Sequence, residues 1–180
     1  MELNINANIT FQRNKLLSLS GMYNGEMLSA SEYKSLASLD GAGFHGGYNH
    51  IVYQMVGQPL GVFYLPHSTG LESDGNGGYT YGIADLNGGG VSLEDGEDRY
   101  VAGQAVPKTI LGSNISFRYK RFDLSLQING AFGHKIYNGT SLTYMNMNIF
   151  PDYNVMKKAP QQNIKDQTAT DYWLEKGDYV

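Results

Sequence analysis

The stretch that decides the fold is Lys108–Asn138, KTILGSNISFRYKRFDLSLQINGAFGHKIYN. Apolar and polar residues alternate through it twice, with a break at Lys120-Arg121. In the first run Leu111, Ile115, Phe117 and Tyr119 share one side, and Gly112, Asn114, Ser116 and Arg118 the other. In the second, Phe122, Leu124, Leu126 and Ile128 alternate with Asp123, Ser125, Gln127 and Asn129. Period two is the pitch of a strand, so the segment predicts a β-hairpin turning at Lys120-Arg121. One face is aliphatic and aromatic, and the other carries only small or hydrogen-bonding groups. A membrane barrel divides lipid from watery lumen in this way, and a soluble sandwich divides core from solvent by the same pattern.

Outward from the hairpin, Glu2–Phe11 repeats the alternation. Leu3, Ile5, Ala7, Ile9 and Phe11 face one way, and Glu2, Asn4, Asn6, Asn8 and Thr10 the other. Its length matches the roughly 9–11 residues that a tilted strand needs to cross a bilayer. Residues 29–41 (SASEYKSLASLDG) predict one short helix near 30–39: Ser29 with Glu32 forms a capping box, Tyr33, Leu36 and Ala37 share a helical face, and Gly41 is a stop. GAGFHGGYNH reads as a loop. Ile51–Tyr64 is strand-like around Gly57-Gln58-Pro59-Leu60-Gly61, where Pro59 requires an edge, a bulge or a turn. His67–Asp98 is a polar loop region that can hold small hairpins, with Asp74-Gly75-Asn76-Gly77-Gly78 as a hairpin tip. The expected layout is a strand over 1–12, a loop region over 13–106, a hairpin over 108–138 and an irregular polar tail over 139–180.

Composition agrees with an all-β, antiparallel fold. The chain has 23 Gly and 14 Tyr beside a single Trp in 180 residues, a mixture that favours strands and Gly-built turns. The net charge of -4 leaves no basic stripe to neutralise phosphates, which argues against nucleic acid as a partner. With no Cys there is no disulfide framework, thiolate zinc site or Cys nucleophile. No run of about 18 apolar residues marks a transmembrane helix. The start, MELNINANITFQRN, lacks a signal peptide's basic and apolar regions; if the protein is an exported membrane protein, its signal is expected upstream, or Met1 begins a truncated or engineered reading frame.

Candidate chemistry is sparse. Asp85-x-Asn87-x-Gly89-Gly90 echoes a calcium loop, with oxygen ligands at alternate positions around a hard cation. Gly89 stands where a ligand is needed and Gly96 occupies the twelfth position, so Asp95 and Asp98 are the displaced replacements. Asp85, Asn87, Asp95 and Asp98 are therefore the calcium candidates, and a plain Asx/Gly turn is the alternative. His45, His50, His67 and His134 have no metal-ligand spacing and read as solvated loop residues. Glu94/Asp95 and Glu97/Asp98 lie in an acidic loop in water, which does not push carboxylate pKa values apart. No Gly-x-Ser-x-Gly elbow supports a hydrolase. No enzymatic activity is expected.

Several segments resemble, in order and spacing, the SusC/RagA family of TonB-linked outer-membrane proteins, known from Bacteroidetes. Gly57–Tyr64 (GQPLGVFY) is similar to its vGqPiGsfyGy segment. Asp85-Leu86-Asn87-Gly88 with Glu97-Asp98-Arg99 resembles its DlNGDGviD-xxDR loop, and Gly103–Lys108 its lead-in to a barrel strand. Phe117–Ser125 (FRYKRFDLS) looks like FrYKnFDLs, and Gly130–Asn138 (GAFGHKIYN) like GsyGnkIyN. Asp171–Val180 (DYWLEKGDYV) resembles a stretch that continues in the family through an arginine, which suggests a truncated C-terminal barrel portion.

The resemblance implies a piece of a TonB-dependent receptor in the outer membrane of a Gram-negative cell. The family's barrel has roughly 22 strands with long extracellular loops. It implies import of oligosaccharides or peptides, with a SusD-like lipoprotein and TonB as partners through parts that nothing here resembles, and outer-membrane lipid around the wall. An isolated fragment would expose an apolar face and self-associate. The competing reading is a soluble, all-β, cell-surface glycan-binding module in which Tyr48, Tyr79, Tyr81 and Tyr100 stack on sugars. In that case another sheet must cover the hairpin's apolar face.

Overall fold

A computed structural model describes residues 1–28, 32–38, 50–94 and 97–180. In chain order the strands are β1 (Glu2–Phe11), β2 (Gly21–Tyr23), β3 (Glu26–Leu28), β4 (Tyr33–Ser38), β5 (His50–Met55), β6 (Val62–Pro66) and β7 (Ser68–Ser73). They continue with β8 (Tyr79–Ile83), β9 (Arg99–Gln104), β10 (Thr109–Tyr119), β11 (Phe122–Phe132) and β12 (Lys135–Tyr137). Helices α1 (Gly139–Tyr144) and α2 (Ala159–Gln162), two short 3-10 turns and β13 (Leu174–Lys176) complete the chain. The fold is mostly β, its strand pairs are antiparallel, and no closed barrel forms among the described residues.

Two bodies of structure differ in kind. The first is a three-stranded sheet in the order β1-β10-β11, here called the wall. β10 and β11 are the expected hairpin, paired from Thr109↔Phe132 to Tyr119↔Phe122, so Lys120-Arg121 forms a two-residue turn. Lys120 takes a left-handed φ of 53° there, and its ammonium lies 5.4 Å from the Tyr119 ring centre. β1 joins the other edge of β10, from Glu2↔Arg118 to Phe11↔Thr109. Neighbouring strands of the wall are thus linked by two residues at one end, and at the other by everything from Gln12 to Lys108.

The second body, here called the cap, is built from that long connection together with residues 133–180. A four-stranded sheet ordered β4-β5-β6-β9 supplies one layer, and the β7–β8 hairpin and the tail supply the rest. Ile51, Phe63, Leu65, Tyr81, Leu142, Ile164 and Ala169 form its buried core. Fully burying a side chain of Leu, Ile or Phe size contributes about 1.5–3 kcal/mol, so this cluster is the main stabilising element of the cap. The segment Gly57-Gln58-Pro59-Leu60-Gly61 is the turn from β5 to β6, with Gly57 and Gly61 at φ 86° and 66°. The chain leaving β1 is tied to it: Asn14 Oδ1 accepts from the Leu60 amide at 2.7 Å, and Gly57 N–H donates to the Leu16 carbonyl at 2.8 Å.

Three expectations need correction. The helix expected near 30–39 is replaced over its described part by strand β4, which pairs with β5 from Tyr33↔Met55. Helical spacing of Tyr33, Leu36 and Ala37 loses to tertiary context: the Tyr33 ring packs 6.1 Å from Tyr53 on the adjoining β5 and 6.3 Å from Tyr64 on β6 beyond it. Ser29, its proposed capping residue, and Gly41, its stop, lie outside the described residues. The loop region 13–106 contains strands β2 to β9. Within it, GAGFHGGYN falls outside the described residues, whereas Asp74–Gly78 is a hairpin tip between β7 and β8, as expected. The irregular tail is also structured. Asn138 caps α1 by accepting from the Ser141 amide at 2.9 Å, and Leu142, Ile164 and Ala169 enter the core.

Candidate functional site

The distinguishing surface of the molecule is the wall. The paired registers place Leu3, Ile5, Ala7, Ile9 and Phe11 of β1 beside Phe117, Ile115, Ser113, Leu111 and Thr109 of β10, and that row, continued by Tyr119, beside Phe122, Leu124, Leu126, Ile128, Gly130 and Phe132 of β11. Because Cβ atoms alternate across a strand, all of these lie on one face. The face is uncovered: Ile5 is 62% exposed, Phe11 74%, Phe122 58% and Leu124 54%. A water-soluble sheet of this size buries such a face, and contiguous exposed apolar patches mark contact with lipid or protein.

Aromatic side chains stand at both ends of the apolar face and aliphatic ones between them. Phe11 and Phe132 flank Thr109 at the cap end, and Phe117, Tyr119 and Phe122 cluster at the turn. Ile5, Ile9, Leu111, Ile115, Leu126 and Ile128 fill the middle. A transmembrane barrel carries an apolar band between two aromatic girdles in this arrangement. The opposite face is polar over most of its length, with Asn4, Asn6 and Asn8 in β1, Asn114 and Ser116 in β10, and Ser125, Gln127 and Asn129 in β11, and it becomes apolar only at its cap end, at Ile110 and Ala131. At its turn end, Glu2, Arg118 and Asp123 form a cross-strand row, with Arg118 Nε 2.6 Å from Asp123 Oδ1. Beyond β11, Tyr179 exchanges both backbone hydrogen bonds with Ala131, so residues after β13 begin to pair with the outer edge of the wall.

The cap explains the polar motifs. Asp85 accepts from the amides of Asn87, Gly88 and Gly90, at 3.2, 2.6 and 3.0 Å. Asp98 accepts from Ser92 at 2.7 Å and Leu86 at 2.6 Å, and these amide hydrogens hold its carboxyl below the usual carboxylate range. Asn87 donates to Glu97 at 2.6 Å and takes the Gly89 amide on its own side-chain oxygen. The structure therefore brings Asp85, Asn87 and Asp98 into one loop, where they bond the loop's own backbone. Asp95 and Gly96 lie outside the described residues, and no cluster of three metal-ligating His, Cys, Asp or Glu side chains occurs among the described ones. Arg99, next in the motif, is buried and donates to the His50 carbonyl, the Leu93 carbonyl and the Tyr53 hydroxyl.

Sequence reasoning missed the role of Asp171. Its carboxylate gathers the Ser68 amide at 2.6 Å, the Tyr100 hydroxyl at 2.6 Å and His67 Nδ1 at 2.7 Å, tying the tail to strands β7 and β9. No local pattern signals this, because its partners lie 71 to 104 positions earlier in the chain. Burial, with the Asp171 charge added, pushes the Tyr100 hydroxyl well above the ordinary tyrosine value. Among the histidines, His134 is a correction: it is buried, and its Nδ1 has no hydrogen-bond partner. His50 is exposed, and His45 lies outside the described residues.

The aromatic residues proposed for sugar stacking form no common platform. Tyr81 is core, its hydroxyl accepting from Trp173 Nε1 at 2.8 Å, and Tyr100 is bonded to Asp171. Tyr79 is exposed, and Tyr48 lies outside the described residues.

No family model matches the chain. The chain is similar to the TonB-dependent receptor P3 of Formosa agariphila, with 28% identity over 145 residues, covering 69% of this chain and 14% of that receptor. It thus spans a small part of the length of this relative.

Proposed function

We propose that this chain is a portion of the wall and outer loops of an outer-membrane TonB-dependent transporter of the SusC/RagA type. The observation that carries the reading is the wall itself: strands of 10, 11 and 11 residues with one apolar and one polar face, both open. Crossing a bilayer with tilted strands takes about 9–11 residues each, and lipid covers the apolar face without a second sheet. Similarity to a TonB-dependent receptor supports the same reading.

Orientation follows from the connections. Barrels of this kind have short turns on the periplasmic side and long loops outside the cell. Lys120-Arg121 is then periplasmic and the cap extracellular, with the polar face of the wall lining the lumen. In this reading the cap stands where cargo and a SusD-like lipoprotein meet the barrel, TonB acts through other parts of the transporter, and the cargo is an oligosaccharide or peptide. The chain carries out no chemistry itself.

The test is flotation with lipid vesicles after refolding from denaturant. Co-migration of the protein with the vesicles, resistant to high salt and alkaline extraction, is the expected result. A monodisperse monomer in detergent-free buffer that does not co-float rules the wall out as a membrane element.

A further inference from the structure

The wall's polar face does not stop at Thr109. Gln12 N–H donates to the Lys108 carbonyl at 2.9 Å, so the β1–β10 register runs one residue further and Lys108 continues the row Asn114, Gly112, Ile110, while Lys108 N–H donates at 2.9 Å to the Phe132 carbonyl already opposite Thr109, an irregularity that ends the β10–β11 ladder. Lys108 therefore stands on the lumen side, where the wall meets the cap. There it lines a cavity of about 430 Å³ together with His134, Lys135, Lys176, Asp178 and Gln104.

Three features mark this cavity as built for negative charge. Lys135 and Lys176 are directly opposite each other in the β12–β13 pair, an arrangement of like charges that is unfavourable unless something else compensates it. Among the described residues no ion pair engages Lys108, Lys135 or Lys176, and the lone carboxylate lining the cavity, Asp178, accepts from the Gly133 amide at 2.7 Å. Glycines, finally, clear the space that the basic side chains occupy. A Cβ on Gly103 would stand 2.7 Å from Lys135 Cγ, one on Gly133 3.1 Å from Lys108 Cβ, and one on Gly177 would collide with the His134 ring. The chain as a whole has net charge -4, so this concentration of lysine does not follow from composition.

We infer that the cavity is an oxyanion site at the lumen mouth, taking a carboxylate, sulfate or phosphate group carried by the cargo. It rests on the wall reading for its place in the lumen, and it narrows the cargo to acidic molecules. Lysine ammonium groups suit it because they act as mobile point charges that accept oxyanions of different geometry.

The test is calorimetric titration of trigalacturonate, maltotriose and inorganic phosphate into the detergent-solubilised protein, beside the K135Q/K176Q and K135R/K176R variants, with vesicle flotation run on each. Trigalacturonate is expected to bind, at least tenfold more weakly to K135Q/K176Q and near normally to K135R/K176R, with affinity falling as salt rises. Maltotriose is expected not to bind. The inference is overturned by no trigalacturonate binding, by equal binding of maltotriose, by phosphate binding alone, or by affinity unchanged in K135Q/K176Q. Retained K135R/K176R binding separates loss of charge from misfolding. Protein that floats but binds no trigalacturonate refutes the site and leaves the wall standing, whereas variant-sensitive binding without flotation does the reverse.

Discussion

The wall and the cap use the same residue types in opposite ways. In the wall, Leu124, Leu126 and Ile5 are about half exposed or more, and the sheet has no core. In the cap, Leu65, Leu142 and Ile164 are fully buried. A single solvent cannot favour both arrangements. The cap is arranged as a protein in water, and the wall as a protein whose apolar side meets something other than water. The contrast is sharp because β10 and β11 are regular over their full length, whereas the cap's strands run to six residues or fewer, several with register shifts.

The largest effect that separates them comes from the cap core. Leu65→Ala leaves a cavity at a fully buried position and is expected to cost about 2–5 kcal/mol of cap stability in denaturant titrations, with no change in vesicle association. A loss of flotation in that variant would show that wall and cap are one cooperative unit. Next, Leu126→Lys and Gln127→Lys place the same charge on neighbouring residues of opposite faces. In vesicles Leu126→Lys is expected to cost about 2–4 kcal/mol, and Gln127→Lys within about 0.5 kcal/mol. Equal costs would remove the distinction between lipid and lumen faces.

A smaller effect concerns pH. Amide hydrogens from Ser92 and Leu86 depress the folded pKa of Asp98, so its contribution is fully present above the unfolded value near 3.8 and is lost as pH falls through the lower folded value. Thermal midpoints of the cap are expected to drop below about pH 4, and Asp98→Ala to lower the midpoint at neutral pH and flatten that acid limb. The smallest expected effect is that of calcium. Since Asp85 and Asp98 bond the loop's own amides, adding calcium or a chelator is expected to leave the midpoint unchanged.

The wall was legible in the sequence because period two is a local property, and Glu2–Phe11 and the two runs either side of Lys120-Arg121 show it. That β1 pairs with β10 was not readable, since the register depends on a partner a hundred residues away. The cap was largely missed for the same reason. Its strands are short, and its core joins Ile51, Tyr81 and Ile164 from distant segments. At Tyr33 a helical spacing gave the wrong element, because ring packing with Tyr53 and Tyr64 outweighs local preference. The motifs Asp85–Gly90 and Glu97–Arg99 were visible as polar clusters, but only the geometry shows Asp98 closing the loop and Arg99 anchoring it to Tyr53.

The chain has no cysteine, so single cysteines along β11 can be spin-labelled without background. The most direct test of the lipid-facing wall is the collision accessibility of labels at positions 122 to 129 in vesicles, toward oxygen and toward a water-soluble nickel chelate. The account predicts a strict alternation, with Phe122, Leu124, Leu126 and Ile128 exposed to oxygen and Asp123, Ser125, Gln127 and Asn129 to the chelate. Uniform access of the chelate along the strand would contradict it.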